Sequence, residues 1–273
     1  IAAGWYGAVS TNNIDIVLLQ YKPDGSLDSS FGVNGIVITD IALSDYIYDM
    51  ALQPDGKIVV AGDRVKNENY DNQTSFTVRY MPDGKLDNSF GKKGIALTTY
   101  NSTIEIKSVE LQPDGKIIIG GIYDGIGHEY MLVRYGIDGS IDSSFGVNGI
   151  ARLSFGYDLG DYSELFDIAV QADGKILAAG NNGIFEYHMV VGRFTANGTV
   201  DTSFGTGKGY TLPFFETGTS YTSTVLVQGD GKILVAGTYA IYSIPNKDSW
   251  DIMLYKDVTL GGNVADYKVE NEV

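Results

Sequence analysis

One five-residue phrase returns four times along this chain, and that recurrence limits the fold more than any other feature. Gln53-Pro54-Asp55-Gly56-Lys57 is followed by Gln112-Pro113-Asp114-Gly115-Lys116, Gln171-Ala172-Asp173-Gly174-Lys175 and Gln228-Gly229-Asp230-Gly231-Lys232, at spacings of 59, 59 and 57 residues. A second phrase keeps the same period: Asp28-Ser29-Ser30-Phe31-Gly32, then Asp87 to Gly91, Asp142 to Gly146 and Asp201 to Gly205. Self-similarity at a fixed interval marks a stack of one supersecondary unit, which buries its apolar faces only against its neighbours.

Each Asp-Gly pair separates two apolar segments, which predicts a β-hairpin, because Asp and Gly tolerate the backbone of tight turns. The strand entering the hairpin alternates, as in Ser108-Val109-Glu110-Leu111, whereas the strand leaving it is continuously apolar, as in Ile58-Val59-Val60-Ala61. Such a run predicts burial on both faces. A third strand follows at Ile16–Tyr21, Phe76–Tyr80, Met131–Tyr135, Met189–Phe194 and Ile252–Lys256, and a fourth after the Ser-Phe-Gly phrase, as at Gly35–Thr39 and Gly149–Leu153. Four antiparallel strands per copy, stacked radially, make a β-propeller whose edges are short and protected. A β-solenoid is the rival, but its coils are shorter. The expectation is an all-β propeller of four-stranded antiparallel blades, five in number. Eighteen strands are clear, and closure at five blades needs Val258–Leu260 as a short fourth strand and Val264–Val269 paired with the Ile1 segment. The expected organisation is therefore a repeat domain over 1–257 and closing strands or a linker over 258–273. The chain opens mid-copy, so a native start upstream of Ile1 is expected.

The quoted residues together, Asp24-Gly25-Ser26-Leu27-Asp28-Ser29-Ser30-Phe31-Gly32, Asn34-Gly35, Leu52 to Gly62 and the Arg-Tyr pair at Arg79-Tyr80, resemble the bacterial delta-60 repeat. The resemblance runs over almost all of Ile1 to Asp257 and fails at Lys256-Asp257-Val258, where both phrases are missing. It implies a large bacterial protein that is secreted or held at the cell surface, often with a sorting domain for type 9 secretion, and it implies no catalytic residues.

Composition removes several function classes. A net charge of −15 repels phosphate backbones and anionic membranes, so nucleic acid is not an expected partner. With no cysteine there are no disulfides, thiolate nucleophiles or Cys-ligated metals. No apolar run approaches the roughly 20 residues that cross a bilayer, so direct membrane insertion is not expected. No Gly-x-Ser-x-Gly elbow occurs, His128 and His188 are the only histidines, and they sit one residue out of register between copies. The scattered Glu105, Glu129, Glu164, Glu186 and Glu216 form no acid pair in the sequence. Catalytic residues and cofactors are thus expected to be none. Calcium is the one metal the pattern suggests, because Asp24-x-Ser26-x-Asp28 and Asp138-x-Ser140-x-Asp142 alternate oxygen ligands. Lys85 and Asn197 break that pattern in other copies, which favours acids that cap turns.

Variation between copies points to a surface. The turns joining first to second and third to fourth strands are constant, while the second-to-third and fourth-to-first links vary, and in a meander these two sets emerge at opposite ends. The variable links carry Trp5, Tyr6, Tyr70, Tyr123, Tyr157, Tyr187, Tyr242 and Trp250, which are the candidate ligand-binding residues, along with Tyr100, Tyr162, Phe185, Tyr221 and Tyr239. Rigid aromatics on scaffold-held loops suit recognition, and equally they suit covering the blade tops. Three readings follow: a non-enzymatic scaffold or binding module meeting a protein or glycan on a cell surface, in adhesion, surface motility or export through outer-membrane machinery; a lectin-like or glycoside-hydrolase propeller; or a spacer.

Overall fold

The structure, a computed structural model, describes residues 1–8, 13–65, 73–99, 103–125, 127–155, 162–183, 187–205, 207–212, 219–239, 243–245 and 250–252. It is all-β, built mostly of four-stranded antiparallel sheets. The first unit holds β1 (Ala2–Ala8), β2 (Asn13–Leu19) and β3 (Ile36–Thr39); the second holds β4 (Ser44–Leu52), β5 (Ile58–Val65), β6 (Gln73–Tyr80) and β7 (Ile95–Thr98). The third holds β8 (Thr103–Leu111), β9 (Ile117–Gly125), β10 (Gly127–Tyr135) and β11 (Ile150–Leu153), and the fourth β12 (Ser163–Val170), β13 (Ile176–Asn182), β14 (His188–Phe194) and β15 (Tyr210–Thr211). In the fifth, β16 (Ser220–Val227) pairs with β17 (Ile233–Tyr239), while among the described residues β18 (Ser243–Pro245) and β19 (Trp250–Ile252) pair only with each other. Of the expected third strand Ile252–Lys256, only Ile252 lies among the described residues, and it pairs with Ser243 rather than with β17. The proposed closing strands in 258–273 lie outside them. Four-stranded uniformity therefore holds for the three central units and not for the described parts of the first and fifth.

The units stack face to face as blades. Along β5, Ile58 and Val60 pack toward the first blade, while Val59 and Ala61 pack toward the third. The same division separates Ile118 from Ile117 and Ile119 in β9. This is why the strand leaving each hairpin is apolar at every position, and every residue of β13 is buried. First strands alternate, as expected of a strand half-facing the axis: Ile106 and Val109 are buried, Lys107 and Glu110 partly open. Consecutive first strands β4, β8, β12 and β16 touch one another, so they lie innermost. A single parallel bridge, Ile14 to Ser44, links the first blade to the second.

A bulge interrupts each of these four strands, between Ile47 and Asp49, Ile106 and Ser108, Leu165 and Asp167, and Thr222 and Thr224. It brings the first-strand backbone onto Gly62, Gly121, Gly180 and Gly237, where an added Cβ would overlap the carbonyl oxygens of Tyr46, Glu105, Glu164 and Tyr221. That overlap explains the glycine at one fixed place in these four copies. The hairpin itself differs from expectation in one respect. Gly56, Gly115, Gly174 and Gly231 take φ of 81–83°, but their Asp neighbours do not. Asp55 instead uses Oδ1 to accept the amide of Lys57 at 3.2 Å, so the turn closes over three residues with glycine at the left-handed position.

Candidate functional site

The constant end is a set of locks between blades. Asp87 accepts Arg79 Nε at 2.9 Å and pairs with Lys57 at 3.3 Å, and Asp142 repeats this with Arg134 at 2.9 Å and Lys116 at 3.1 Å. The guanidinium of Arg79 lies over Phe90 and that of Arg134 over Phe145, each at 4.6 Å. Each arginine then reaches the next blade, Arg79 Nη1 donating to Ile137 O at 2.6 Å and Arg134 Nη1 to Ala196 O at 2.7 Å. Amides of the Phe-Gly phrase cross too: Gly32 to Asp83 O, Gly91 to Asp138 O and Gly146 to Asn197 O. The suggested calcium loops are occupied by the protein's own donors. Asp24 Oδ1 accepts Ser26 N and Oγ at 2.9 and 2.6 Å, and Asp138 Oδ1 accepts Ser140 N and Oγ at 3.0 and 2.7 Å. Ser144, with Lys116 and Arg134, holds the Asp142 carboxyl far below the usual carboxylate range. Three clefts of about 500, 290 and 530 Å³ are lined in large part by these turns and by Glu110 and Arg152.

The variable end is where aromatic rings gather. His128 lies 4.6 Å from Tyr162, Tyr162 5.9 Å from Tyr187, and Tyr187 5.5 Å from Tyr221, a chain of rings crossing the third, fourth and fifth blades. Tyr162 donates to Glu164 Oε1 at 3.0 Å, and that bond, with burial, pushes its phenol up to about 12. Of the expected residues, Trp5 and Tyr6 are 49% and 63% exposed, Trp5 meeting Tyr46 edge-on at 6.3 Å. Tyr187 sits within the ring chain, but one face of Tyr123 carries the Arg152 guanidinium at 3.8 Å. Tyr70, Tyr157 and Tyr242 lie outside the described residues, as do Tyr100 and Phe185; Trp250 falls in β19 and its side chain is not described. The structure thus joins Tyr187 to Tyr162 and Tyr221, and places Trp5 and Tyr6 on the first blade.

Two further groups were not legible as sites in the sequence. Asp49, Ser108, Asp167 and Thr224, each four residues before the glutamine of its hairpin, form a relay along the innermost strands. Ser108 Oγ donates within 3.1 Å of Asp49 and lies 3.0 Å from Asp167, and Asp167 Oδ2 accepts Thr224 Oγ1 at 2.6 Å. Burial raises the carboxyl of Asp49, with Asp167 adding to it. The fixed offset was the available signal. The second group is Asp15, Asp40 and Asp45, whose carboxylate oxygens lie within 4.8 Å of one another and which could hold a metal ion. Their separation in sequence hides them, and only the packing of β2 against the β3–β4 link brings them together.

Radially stacked antiparallel blades with a line of first strands inside define a β-propeller. The chain belongs to the family described as Domain of unknown function (DUF5122) beta-propeller, matched over residues 1–31, 53–90, 112–145 and 171–204. Residues 216–273 match a second family described as Protein of unknown function (DUF2911). No curated protein matches the chain. Among solved structures it is similar to a protein of unknown function from Bacteroides caccae, at 12% identity and a TM-score of 0.46, covering 92% of this chain and 71% of that one. A protein of unknown function from Dyadobacter fermentans is similar at 13% identity and 0.45, covering 86% and 66%. The Pseudomonas aeruginosa periplasmic gluconolactonase is similar at 12% and 0.43, covering 94% and 82%.

Proposed function

We propose that this propeller is a non-enzymatic module, working outside the cytoplasm, that binds a protein or glycan partner through its variable end. The observation that carries the reading is the ring chain His128–Tyr162–Tyr187–Tyr221, which spans three blades on strand ends and links that differ between copies while the opposite end repeats itself. Aromatic surface held on a rigid scaffold gives contact area at low entropic cost. Five blades, with the tail 258–273 closing the ring, and carriage to the cell surface as type 9 cargo belong to the same proposal. No helix among the described residues is long and apolar enough to cross a membrane.

The test pairs a glycan array and an envelope pull-down with the variant Tyr162→Ala/Tyr187→Ala/Tyr221→Ala. Binding by the native chain, lost at least tenfold in the variant with its circular dichroism unchanged, supports the reading. Equal binding by both moves the site elsewhere, and release of reducing sugar from any array ligand would make the chain a hydrolase.

A further inference from the structure

We infer that Asp15, Asp40 and Asp45 form a calcium site that fastens the first blade to the second. Asp15 lies in β2 of the first blade, Asp40 in the link after β3, and Asp45 in β4 of the second blade. Asp45 is fully buried; its Oδ2 accepts the amides of Ile41 and Ala42 at 2.7 and 3.2 Å, while its Oδ1 has no hydrogen-bond partner. Oδ1 of Asp15 is likewise buried and unpartnered. Buried carboxylate oxygens without donors are costly, and here two of them belong to a set of three acids. Arg64, opposite Asp45 in register, feels the charge of this carboxylate, yet among the described residues no hydrogen bond joins them and the Nε of Arg64 is itself unpartnered. With Arg64 counted, three carboxylates leave a surplus of two negative charges, which matches a divalent ion.

The repeat supplies an internal control. Positions equivalent to Asp15, Asp40 and Asp45 are Thr74, Thr99 and Ile104 at the next junction, Glu129, Ser154 and Ser163 at the third, and His188, Pro213 and Ser220 at the fourth. The three acids are therefore not demanded by the blade itself. The first junction keeps the Gly32 N to Asp83 O bond and the Tyr80 hydroxyl to Thr39 bond, but two side-chain ties of the later junctions are replaced there. Gln20 stands where Arg79 and Arg134 bridge blades, and it donates to Asp28 of its own blade at 3.2 Å. Trp5 stands where Asp63 accepts Ile106 N and Asn181 accepts Thr222 N of the following blade. An ion held by residues from both blades stands in for those two side-chain ties.

Calcium fits the donor set. It takes carboxylate oxygens at 2.3–2.6 Å in flexible geometry, so opposite ligands span about 4.6–5.2 Å, whereas magnesium at 2.0–2.1 Å spans about 4.2 Å. The three oxygens lie within 4.8 Å of one another, so one ion can meet all three, and calcium's tolerance of irregular geometry suits ligands contributed by two blades. Asp40 is exposed, which leaves solvent an entry path and waters to complete the shell.

Calorimetric titration of the chelator-treated chain with calcium chloride at 0.15 M salt tests this, with the thermal midpoint followed in parallel. One saturable site is expected, with Kd on the order of 10⁻⁴–10⁻³ M and a rise in midpoint. Asp40→Asn, at an exposed position, weakens binding at least tenfold while melting no lower than the native chain in chelator; Asp45→Asn abolishes it. Asp138→Asn, in a turn of the constant end, leaves it unchanged. Absence of saturable binding, equal affinity in Asp40→Asn and the native chain, or tighter binding of magnesium chloride than of calcium chloride overturns the assignment.

Discussion

The constant and variable ends of this propeller solve the same problem, joining one blade to the next, with opposite chemistry. At the constant end an arginine, an aspartate, a phenylalanine and a left-handed glycine recur in place, and their bonds reach the following blade. Toward the variable end the joining residue changes at every junction: Trp5 against Tyr46, Asp63 and Asn181 against backbone amides, Ile122 inside the core. Repetition thus marks where structure is fixed, and variation marks positions free to take on a ligand. Selection for function can act at one end without disturbing the other.

The largest expected effect tests the bulge that separates the two ends. Gly180→Ala places a Cβ on the Glu164 carbonyl, and since backbone rather than a flexible side chain must yield, a loss of about 4 kcal/mol or more is expected by urea unfolding. Gly4 holds the same repeat position in the first blade, but among the described residues its Cβ would meet only Val17 at 3.9 Å. Gly4→Ala is expected to change stability by less than about 1 kcal/mol. Equal losses at both would show that the first blade carries a bulged strand like the others.

Next in size is the arginine lock. Arg134→Ala removes the ion pair to Asp142, the stack on Phe145 and the bond to Ala196 O, and leaves a carboxylate that is 15% exposed with Lys116 as its remaining cation. A loss of about 3 kcal/mol is expected, and Arg134→Lys recovers less than half of it, because an ammonium cannot serve all three partners at once. The same substitution made in the ring chain, Tyr221→Ala at a 43% exposed position, costs less than about 1 kcal/mol.

Titration separates the ends by sign. The Ser203 hydroxyl and amide, with Arg193, hold the Asp201 carboxyl down to about 2, so its contribution is present above the ordinary carboxylate range and is lost as pH falls toward 2. Burial pushes Asp63 the other way, up to about 7, so the folded chain holds a proton that the unfolded chain releases near 4. Its contribution therefore declines as pH rises from 4 to 7. Across pH 5–8 the unfolding free energy is expected to fall by about 2 kcal/mol more in the native chain than in Asp63→Asn, where the buried Asp45 still titrates near 6. Asparagine keeps the acceptor for Ile106 N, as Asn181 does for Thr222 N in the fourth blade.

Much of the fold was legible because the phrases that define it are consecutive residues. The hairpin, the doubly buried second strand and the anchoring Phe31, Phe90 and Phe145 could be read from spacing and apolar runs. Four-stranded blades at the chain's two ends could not, because strand pairing there depends on segments that carry neither phrase. The candidate sites were less legible still. Asp15, Asp40 and Asp45 meet through the single parallel bridge between Ile14 and Ser44, a contact that no periodicity encodes. Tyr162 and Tyr221 were visible as aromatics of the variable links, but their alignment with Tyr187 depends on how neighbouring blades are set side by side.

The smallest expected effect lies in one turn of the constant end. Asn34-Gly35 and Asn148-Gly149 occupy two-residue turns with φ of 56° and 89°, and 54° and 91°. Those are the angles of a type I′ hairpin, where asparagine is favoured because its side chain tolerates the left-handed region. In the second blade Lys93 takes the same place at φ 57°, followed by Gly94 at 91°. A lysine there bears the steric cost of its Cβ against the following carbonyl with no local hydrogen bond to offset it. Lys93→Asn is expected to stabilise the chain by about 0.5–1 kcal/mol, while the reverse change, Asn148→Lys, destabilises by a similar amount. If both substitutions leave the urea midpoint unchanged, the turn does not constrain its blade, and the uniformity of the constant end rests on the arginine locks rather than on backbone conformation.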